Sequence, residues 1–143
     1  IGEKLELSNF HIIDASYVIG YIHPGNKLAS LVGFNQLVDN IEEIGKNIAM
    51  QIAAMNPLGL EESDIHQEII NKEIEIGKDL ARQEGKPEDM LEKISMGRLK
   101  KFFKENTLLN QTYIKDSKLS IKQYLSHASS GLSVTSFKRV KLG

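Results

Sequence analysis

Residues 41–57, IEEIGKNIAMQIAAMNP, separate a strand-rich first third of the chain from a helical middle. Apolar side chains recur there at intervals of three and four, beginning with Ile41, which predicts one apolar stripe along a helix. Two glutamates follow Ile41 directly, where the helix dipole favours negative charge. The residue before Pro57 is biased away from the helical region, so the helix is expected to end at Asn56.

The residues before this helix read as strands. Residues 4–7 alternate polar and apolar side chains, as a half-buried strand does. Residues 17–22 and 28–34 are rich in aromatic and β-branched side chains, which favour strands. The linking residues 23–26, His-Pro-Gly-Asn, predict a type II turn, because proline presets φ and glycine accepts a positive φ. We expect a connection longer than the tightest hairpins.

The middle of the chain predicts an antiparallel pair of charged helices. Gly85 and Pro87 mark the end of one helix and the start of the next. Apolar residues recur on the first helix near coiled-coil spacing and form an arc on the second. The members of this seam include Ile65, Ile69, Ile76, Leu80, Leu91, Ile94 and Phe102. Two helices alone bury little, so such a hairpin is expected to need a partner along it.

Two local features of this hairpin have specific interpretations. Asp64 and Gln67 are expected to form a capping pair at the start of the first helix. Gly97 either allows a close approach between helices or is an interior glycine tolerated at a cost of ~1 kcal/mol.

The chain ends in mixed structure and completes an α+β pattern. Residues 120–127 predict a short helix, and residues 132–142 predict a strand with a bulge or at a sheet edge. The economical fold is a small antiparallel sheet packed with helices and interrupted by an inserted antiparallel helical hairpin. The expected domains are a first core part at 1–57, the inserted hairpin at 58–109, and a returning helix and strand at 110–143.

Composition narrows the function classes. The chain has 143 residues, of which 41% are hydrophobic, with no cysteine and a formal net charge of −1. That apolar fraction is too high for a disordered tail, and no apolar run is long enough to span a membrane. The small charge argues against strong non-specific binding to nucleic acid, and the absence of cysteine removes disulfides and thiolate chemistry.

Catalytic and metal-binding signals are weak. The four histidines, at positions 11, 23, 66 and 127, are widely spread, and no nucleotide-binding or zinc-protease motif occurs. Glu62 and His66 could form half a metal site, but the preferred interpretation is two solvated side chains near a helix end. We therefore expect no catalytic residue, no metal and no cofactor.

Two surface features have open interpretations at this level. The basic residues Arg98, Lys100, Lys101 and Lys104 are either a patch for an acidic partner or RNA, or the solvated face of an amphipathic helix. His23 is either an ordinary polar turn residue or a functional side chain at an exposed loop tip on a rigid sheet.

Several longer motifs resemble one family. Residues 48–57, IAMQIAAMNP, are similar to the helix that follows the hairpin in bacterial elongation factor Ts. The motifs GKPE at 85–88 and GRLKKF at 97–102 resemble the helical arm of that family. LLNQ at 108–111 and KQYL at 122–125 continue the resemblance, which covers nearly the whole chain in order.

The resemblance implies a non-enzymatic role. Elongation factor Ts is a guanine-nucleotide exchange factor of the cytoplasm that binds elongation factor Tu and promotes GDP release. The residues that match family contacts to the barrel domain of Tu are Ile1, Gly2 and His23, with Pro24 and Gly25 shaping the loop. Pro24 departs from the family, which often has glycine there. The seam of the helical hairpin matches the family's dimerisation module.

The resemblance also implies that family parts are missing from this chain. The chain opens Ile1-Gly2 rather than with methionine, so we expect it to begin inside a longer protein. It matches the second core half with the dimerisation hairpin, without the N-terminal domain or the Thr-Asp-Phe-Val motif of the first core half. Two alternatives stay open, namely a self-associating helical-hairpin interaction module and a small enzyme assembled from scattered histidines and acids.

Overall fold

The computed structural model describes residue 2 and residues 4–143. Within these residues it has five strands and four α-helices, which confirms the predicted α+β class. In chain order they are β1 Tyr17–Ile22, β2 Leu28–Phe34, α1 Ile41–Met55, α2 Gln67–Gln83, α3 Leu91–Asn106, β3 Thr112–Tyr113, β4 Asp116–Ser120, α4 Ile121–Ala128 and β5 Val134–Lys141. The predicted helices and the strands at 17–22, 28–34 and 132–142 are thus present.

The chain divides into two compact units. The first comprises Ile1–Ala54 and Ala128–Gly143, and the second comprises Met55–His127. The second unit contains the helical hairpin, which lies between two stretches of the first unit in sequence. The predicted domain boundaries after residues 57 and 109 stay a prediction.

A three-stranded antiparallel sheet forms the centre of the first unit. Its strand order is β1-β2-β5, so the last strand is an edge strand, as predicted. Val32 in the middle strand pairs with Ile19 on one side and with Phe137 on the other. Residues directly opposite one another share a face, so this row defines the face of the sheet that carries the core.

Helix α1 covers that face at short range. A Cβ added at Gly45 would lie 2.6 Å from Cγ2 of Ile19 and 3.3 Å from the ring of Phe34. Two side chains of the sheet donate hydrogen bonds to backbone carbonyls of the helix. Ser30 Oγ bonds the Ala49 oxygen at 2.6 Å, and Arg139 Nε bonds the Ala53 oxygen at 3.1 Å. The absence of a side chain at position 45 therefore sets how closely helix and sheet approach.

The second unit is built on the antiparallel pair α2 and α3. The segment that leads into α2 and the segment that follows α3 are joined by backbone hydrogen bonds. These include Leu58 N to Asn106 O at 2.8 Å and Leu108 N to Gly59 O at 2.9 Å. Between the helices, a Cβ added at Gly77 would lie 3.1 Å from Cα of Ser95. Gly77, and not Gly97, is thus the glycine at the close helix crossing, because a Cβ at Gly97 would meet nothing within 4 Å.

Two local expectations are wrong, and one element is missing from the prediction. Residues 4–7 form no strand, and Leu5 and Leu7 are exposed, because alternation marks a strand only where a neighbouring strand is available. Asp64 does not pair with Gln67, since its Oδ2 instead accepts hydrogen bonds from the backbone amides of Leu60 and Glu61 at 3.0 Å each. A short hairpin of β3 and β4 was not expected.

The last strand is bulged as well as being an edge strand. The register of β2 and β5 shifts between Gly33, which pairs with Ser136, and Phe34, which pairs with Val134. Thr135 is therefore the extra residue of a β-bulge.

Candidate protein-interaction sites

The turn between β1 and β2 is ordered by its own backbone. Asn26 N donates to the His23 carbonyl at 3.0 Å, and His23 N donates to the Leu28 carbonyl at 2.8 Å. Gly25 has a φ of 95°, as the third residue of a type II turn requires. The predicted turn and its need for glycine are confirmed. The turn presents the exposed side chains of His23 and Pro24 from a fixed backbone.

The imidazole of His23 contacts one aromatic side chain. The hydroxyl of Tyr21 lies 3.1 Å from Nδ1 of His23, and the two ring centroids are 6.0 Å apart at an interplanar angle of 65°. Tyr21 is half-buried, whereas His23 is exposed. A hydrogen bond and an edge contact therefore limit the rotation of an imidazole that solvent would otherwise leave free.

Of the two predicted contact residues at the start of the chain, the structure describes Gly2. Gly2 is exposed, belongs to no helix or strand, and a Cβ added there would meet nothing within 4 Å. Ile1 lies outside the described residues. The structure therefore gives a defined geometry to the turn residues of this predicted site.

The residues predicted for dimerisation divide by burial. Ile65 and Leu91 are buried at 6% and 3% exposure, and Ile65 shares a small core with Leu99 and Phe103. Ile69, Ile94 and Phe102 are half-buried. Ile76 and Leu80 are each 39% exposed. The first group is used inside the hairpin itself, so the apolar surface left to meet a partner centres on Ile76 and Leu80.

These two side chains lie in a shallow groove between the helices. The groove encloses about 200 Å³, and its lining includes Gly77 and Phe102. Charged residues of both signs, Glu73, Glu105, Arg98 and Lys101, stand around it. We call this set, together with Ile76 and Leu80, the hairpin groove.

Ion pairs near the turn of the hairpin raise the pKa of two basic side chains, Lys78 and Arg82. A hydrogen bond from Lys78 to Glu92, whose atoms lie 3.0 Å apart, raises the pKa of the Lys78 ammonium above 10.5. A hydrogen bond from Nε of Arg82 to Oε1 of Glu88, 3.1 Å long, raises the pKa of the Arg82 guanidinium. The nearby carboxylate of Asp79 raises it further. Such pairs on a solvated surface stabilise the helix ends modestly.

The basic cluster is partly neutralised on its own helix pair. The guanidinium of Arg98 forms an ion pair with Oε1 of Glu84 at 2.6 Å. Nζ of Lys101 lies 3.7 Å from Oε1 of Glu105, one helical turn further along α3. Lys100 and Lys104 are exposed. The arrangement fits a solvated helix face with interspersed acids.

The structure adds no support for a metal site at Glu62 and His66. Among residue 2 and residues 4–143, no group of three or more His, Asp or Glu side chains is placed to hold a metal ion. Glu62 and His66 are both exposed. Over the same residues, no helix has the length and apolar character needed to cross a membrane.

Sequence reasoning missed two residues that the structure makes important. Tyr21 reads as an ordinary strand residue, although its position two before His23 would place both side chains on one face of a continued strand. Gly77 has no sequence feature that separates it from Gly97, since both are interior glycines of predicted helices. Only the crossing point of the two helices distinguishes them.

The fold and these two surfaces define an α+β chain with an ordered, exposed histidine turn and an antiparallel helical hairpin that carries an apolar groove. The family model described as Elongation factor TS matches residues 1–143, which is the whole chain. The chain belongs to the elongation factor Ts family, as its motifs predict.

Individual relatives agree with the family match. The chain is 52% identical over 143 residues to elongation factor Ts of Christiangramia forsetii, and 52% identical over 143 residues to that of Flavobacterium psychrophilum. It is 47% identical over 141 residues to elongation factor Ts of Porphyromonas gingivalis. These matches cover 99–100% of this chain but 51–52% of each relative. The chain thus spans about half the length of the curated relatives it matches.

Proposed function

We propose that this chain is part of a guanine-nucleotide exchange factor that binds elongation factor Tu and promotes GDP release during translation elongation, in the cytoplasm. The observation that carries the proposal is the family match over all of residues 1–143. The ordered, exposed turn at His23 supports it, because a contact surface needs a defined shape before its partner arrives.

Exchange of this kind requires no bond-breaking residue. A protein that binds the nucleotide-free form of its partner more tightly than the nucleotide-bound form lowers nucleotide affinity by the same factor. Contact residues on a rigid scaffold are sufficient for this role. The weak catalytic signals of the chain are consistent with such a mechanism.

In this proposal the turn docks on the barrel domain of Tu. His23 makes the contact, Pro24 and Gly25 hold the loop that carries it, and Ile1 and Gly2 contribute from the start of the chain. The support from structure is strongest for His23, whose backbone is fixed by two hydrogen bonds. Pro24 restricts the backbone before Gly25 and lowers the entropy lost on docking.

The hairpin groove is proposed as a dimerisation surface that receives a second copy of the same hairpin. Ile76 and Leu80 supply exposed apolar area, and the rim carries both acidic and basic side chains. A surface with both signs of charge can pair with its own copy in an antiparallel arrangement. This groove also favours the alternative function, a self-associating interaction module without exchange activity.

Release of fluorescent GDP from Tu tests the exchange proposal. We expect the chain to bind Tu but to accelerate GDP release far less than a full-length family member, because it contains no Thr-Asp-Phe-Val motif. Full acceleration by this chain would contradict the assignment of exchange to that motif. Absence of Tu binding together with a concentration-dependent mass would favour the interaction module instead.

Replacement of His23 tests the docking turn. We expect His23→Ala to weaken Tu binding about tenfold, which corresponds to ~1.4 kcal/mol, and to leave the melting temperature unchanged, because the side chain is exposed. His127→Ala, which removes another exposed histidine, serves as the control and should bind normally. Parallel loss of binding and stability in His23→Ala would make His23 a structural residue.

A further inference from the structure

Tyr21, the second-to-last residue of β1, and His23, the first residue of the turn, form a small aromatic pair. Tyr21 and His23 lie two positions apart, and the hydroxyl of Tyr21 is 3.1 Å from Nδ1 of His23. That distance is within the range of a hydrogen bond. The rings also meet edge to face, with centroids 6.0 Å apart. Both the position and the rotation of the imidazole are therefore constrained by one neighbour.

Tyr21 is itself well placed to act as a support. It pairs directly with Ser30 across the sheet, and Ser30 is tied to α1 through the carbonyl of Ala49. Tyr21 thus lies on the face of the sheet that α1 covers, and it is half-buried. Its ring has only two side-chain torsions, so little freedom remains once the ring is packed.

The chemistry of the pair favours one direction for the hydrogen bond, from the Tyr21 hydroxyl to Nδ1 of His23. A phenol is protonated at neutral pH and donates readily, whereas a neutral imidazole carries one acceptor nitrogen and one N–H donor. If the Tyr21 hydroxyl donates to Nδ1, the proton of the neutral ring must sit on Nε2. Nε2–H is then the ring donor left to meet a partner.

We infer that Tyr21 is a positioning residue that holds His23 in the Nε2–H tautomer and presents this donor to an acceptor oxygen on the partner protein. The inference rests on the proposed function, in which His23 contacts that partner. It adds the polarity of the contact, because an Nε2–H group recognises a carbonyl or carboxylate oxygen and not another donor. Preorganisation by Tyr21 lowers the entropy that His23 loses on binding.

The substitution Tyr21→Phe separates the hydroxyl from the ring, because it removes the hydrogen bond and keeps the aromatic edge. Tyr17→Phe is the matched control. Tyr17 lies four residues earlier on the same strand and the same face, and it is also half-buried. The two variants delete the same atom at equivalent positions, but only one of those atoms faces His23.

The first readout is the tautomer of His23 in the free chain, measured by long-range ¹H–¹⁵N correlation at pH ~8.5, where an unperturbed imidazole is neutral. We expect an unprotonated, hydrogen-bonded Nδ1 in the parent chain and in Tyr17→Phe. Tyr21→Phe should shift the Nδ1 signal towards that of a free imidazole. An unchanged Nδ1 signal in Tyr21→Phe would overturn the inference, regardless of how strongly the variant binds Tu.

The second readout is binding to Tu. We expect Tyr21→Phe to weaken binding about threefold to tenfold, as loss of one hydrogen bond does, and Tyr17→Phe to leave it unchanged. In a chain that already carries His23→Ala, Tyr21→Phe should have no further effect. An equal loss in both backgrounds would overturn the positioning role. Unaltered binding in His23→Ala alone would instead refute the docking contact, while the tautomer measurement still judges the Tyr21 pair.

Discussion

At the scale of single residues, two glycines of the hairpin have opposite roles. Gly77 lies where α2 and α3 cross, and an added Cβ would meet both Cα and Cβ of Ser95 at 3.1 Å. Gly97 adjoins open space. Glycine in a helix interior costs about 0.5–1 kcal/mol relative to alanine. That cost is offset at Gly77 by the close packing of two helices, and nothing comparable offsets it at Gly97.

Alanine substitutions at these glycines should therefore shift stability in opposite directions. Gly97→Ala is expected to raise the free energy of unfolding by about 0.5–1 kcal/mol through helix propensity alone. Gly77→Ala gains the same propensity but pays about 1–3 kcal/mol of overpacking against a backbone atom, for a net loss of ~1 kcal/mol. Thermal unfolding of both variants measures the difference. Shifts of the same sign would show that the crossing relaxes freely.

At the scale of elements, the hairpin uses its apolar residues for two purposes. Leu91 is 3% exposed and lies inside the helix pair, whereas Leu80 is 39% exposed in the hairpin groove. A buried leucine contributes through packing, while an exposed one gains only when another surface covers it. A single seam in the sequence thus becomes an internal core and an external patch.

Leucine-to-alanine substitutions separate these purposes. Leu91→Ala should lower the free energy of unfolding by about 2–5 kcal/mol, since it leaves a cavity. Leu80→Ala should change stability little at low concentration and weaken self-association, as measured by sedimentation equilibrium. Leu58→Ala, which shortens an exposed leucine outside the groove, is the control and should associate like the parent. Unaltered association in Leu80→Ala would contradict dimerisation through this groove.

At the scale of the whole molecule, burial and secondary structure are unevenly distributed within the first unit. The middle strand and α1 carry fully buried residues, such as Val32 and Ile48. Residues 4–12 belong to no helix or strand, and their large apolar side chains are exposed, with Leu5 at 89%. Local stability follows burial and backbone hydrogen bonding. The two parts of this unit should therefore open with very different free energies.

Amide hydrogen exchange measures that difference residue by residue. We expect residues 4–12 to exchange near the rate of an unprotected peptide, and Val32 and Ile48 to be among the slowest amides of the first unit. Protection of residues 4–12 comparable to that of β2 would contradict the irregular structure of this segment and restore the strand that its alternation predicts.

Much of the fold follows from local pattern. The spacing of Ile41, Ile44 and Ile48 needs no knowledge of neighbours, because a helix of 3.6 residues per turn brings these side chains to one face by itself. The turn at Pro24 and Gly25 is equally local, since each residue restricts its own φ. The family is also readable from contiguous motifs. The strand predicted at residues 4–7 is absent because a strand also requires a partner strand. Local alternation of polar and apolar residues gives no information about such a partner.

What the sequence by itself determined is therefore the set of helices, the type II turn, the α+β class and the family. Only the tertiary structure decided that Gly77 rather than Gly97 lies at the helix crossing, that Ile65 is internal while Ile76 is exposed, and that Tyr21 contacts His23. The physical reason is that periodicity identifies an apolar or shared face, whereas the identity of the atoms opposite that face depends on how the elements pack.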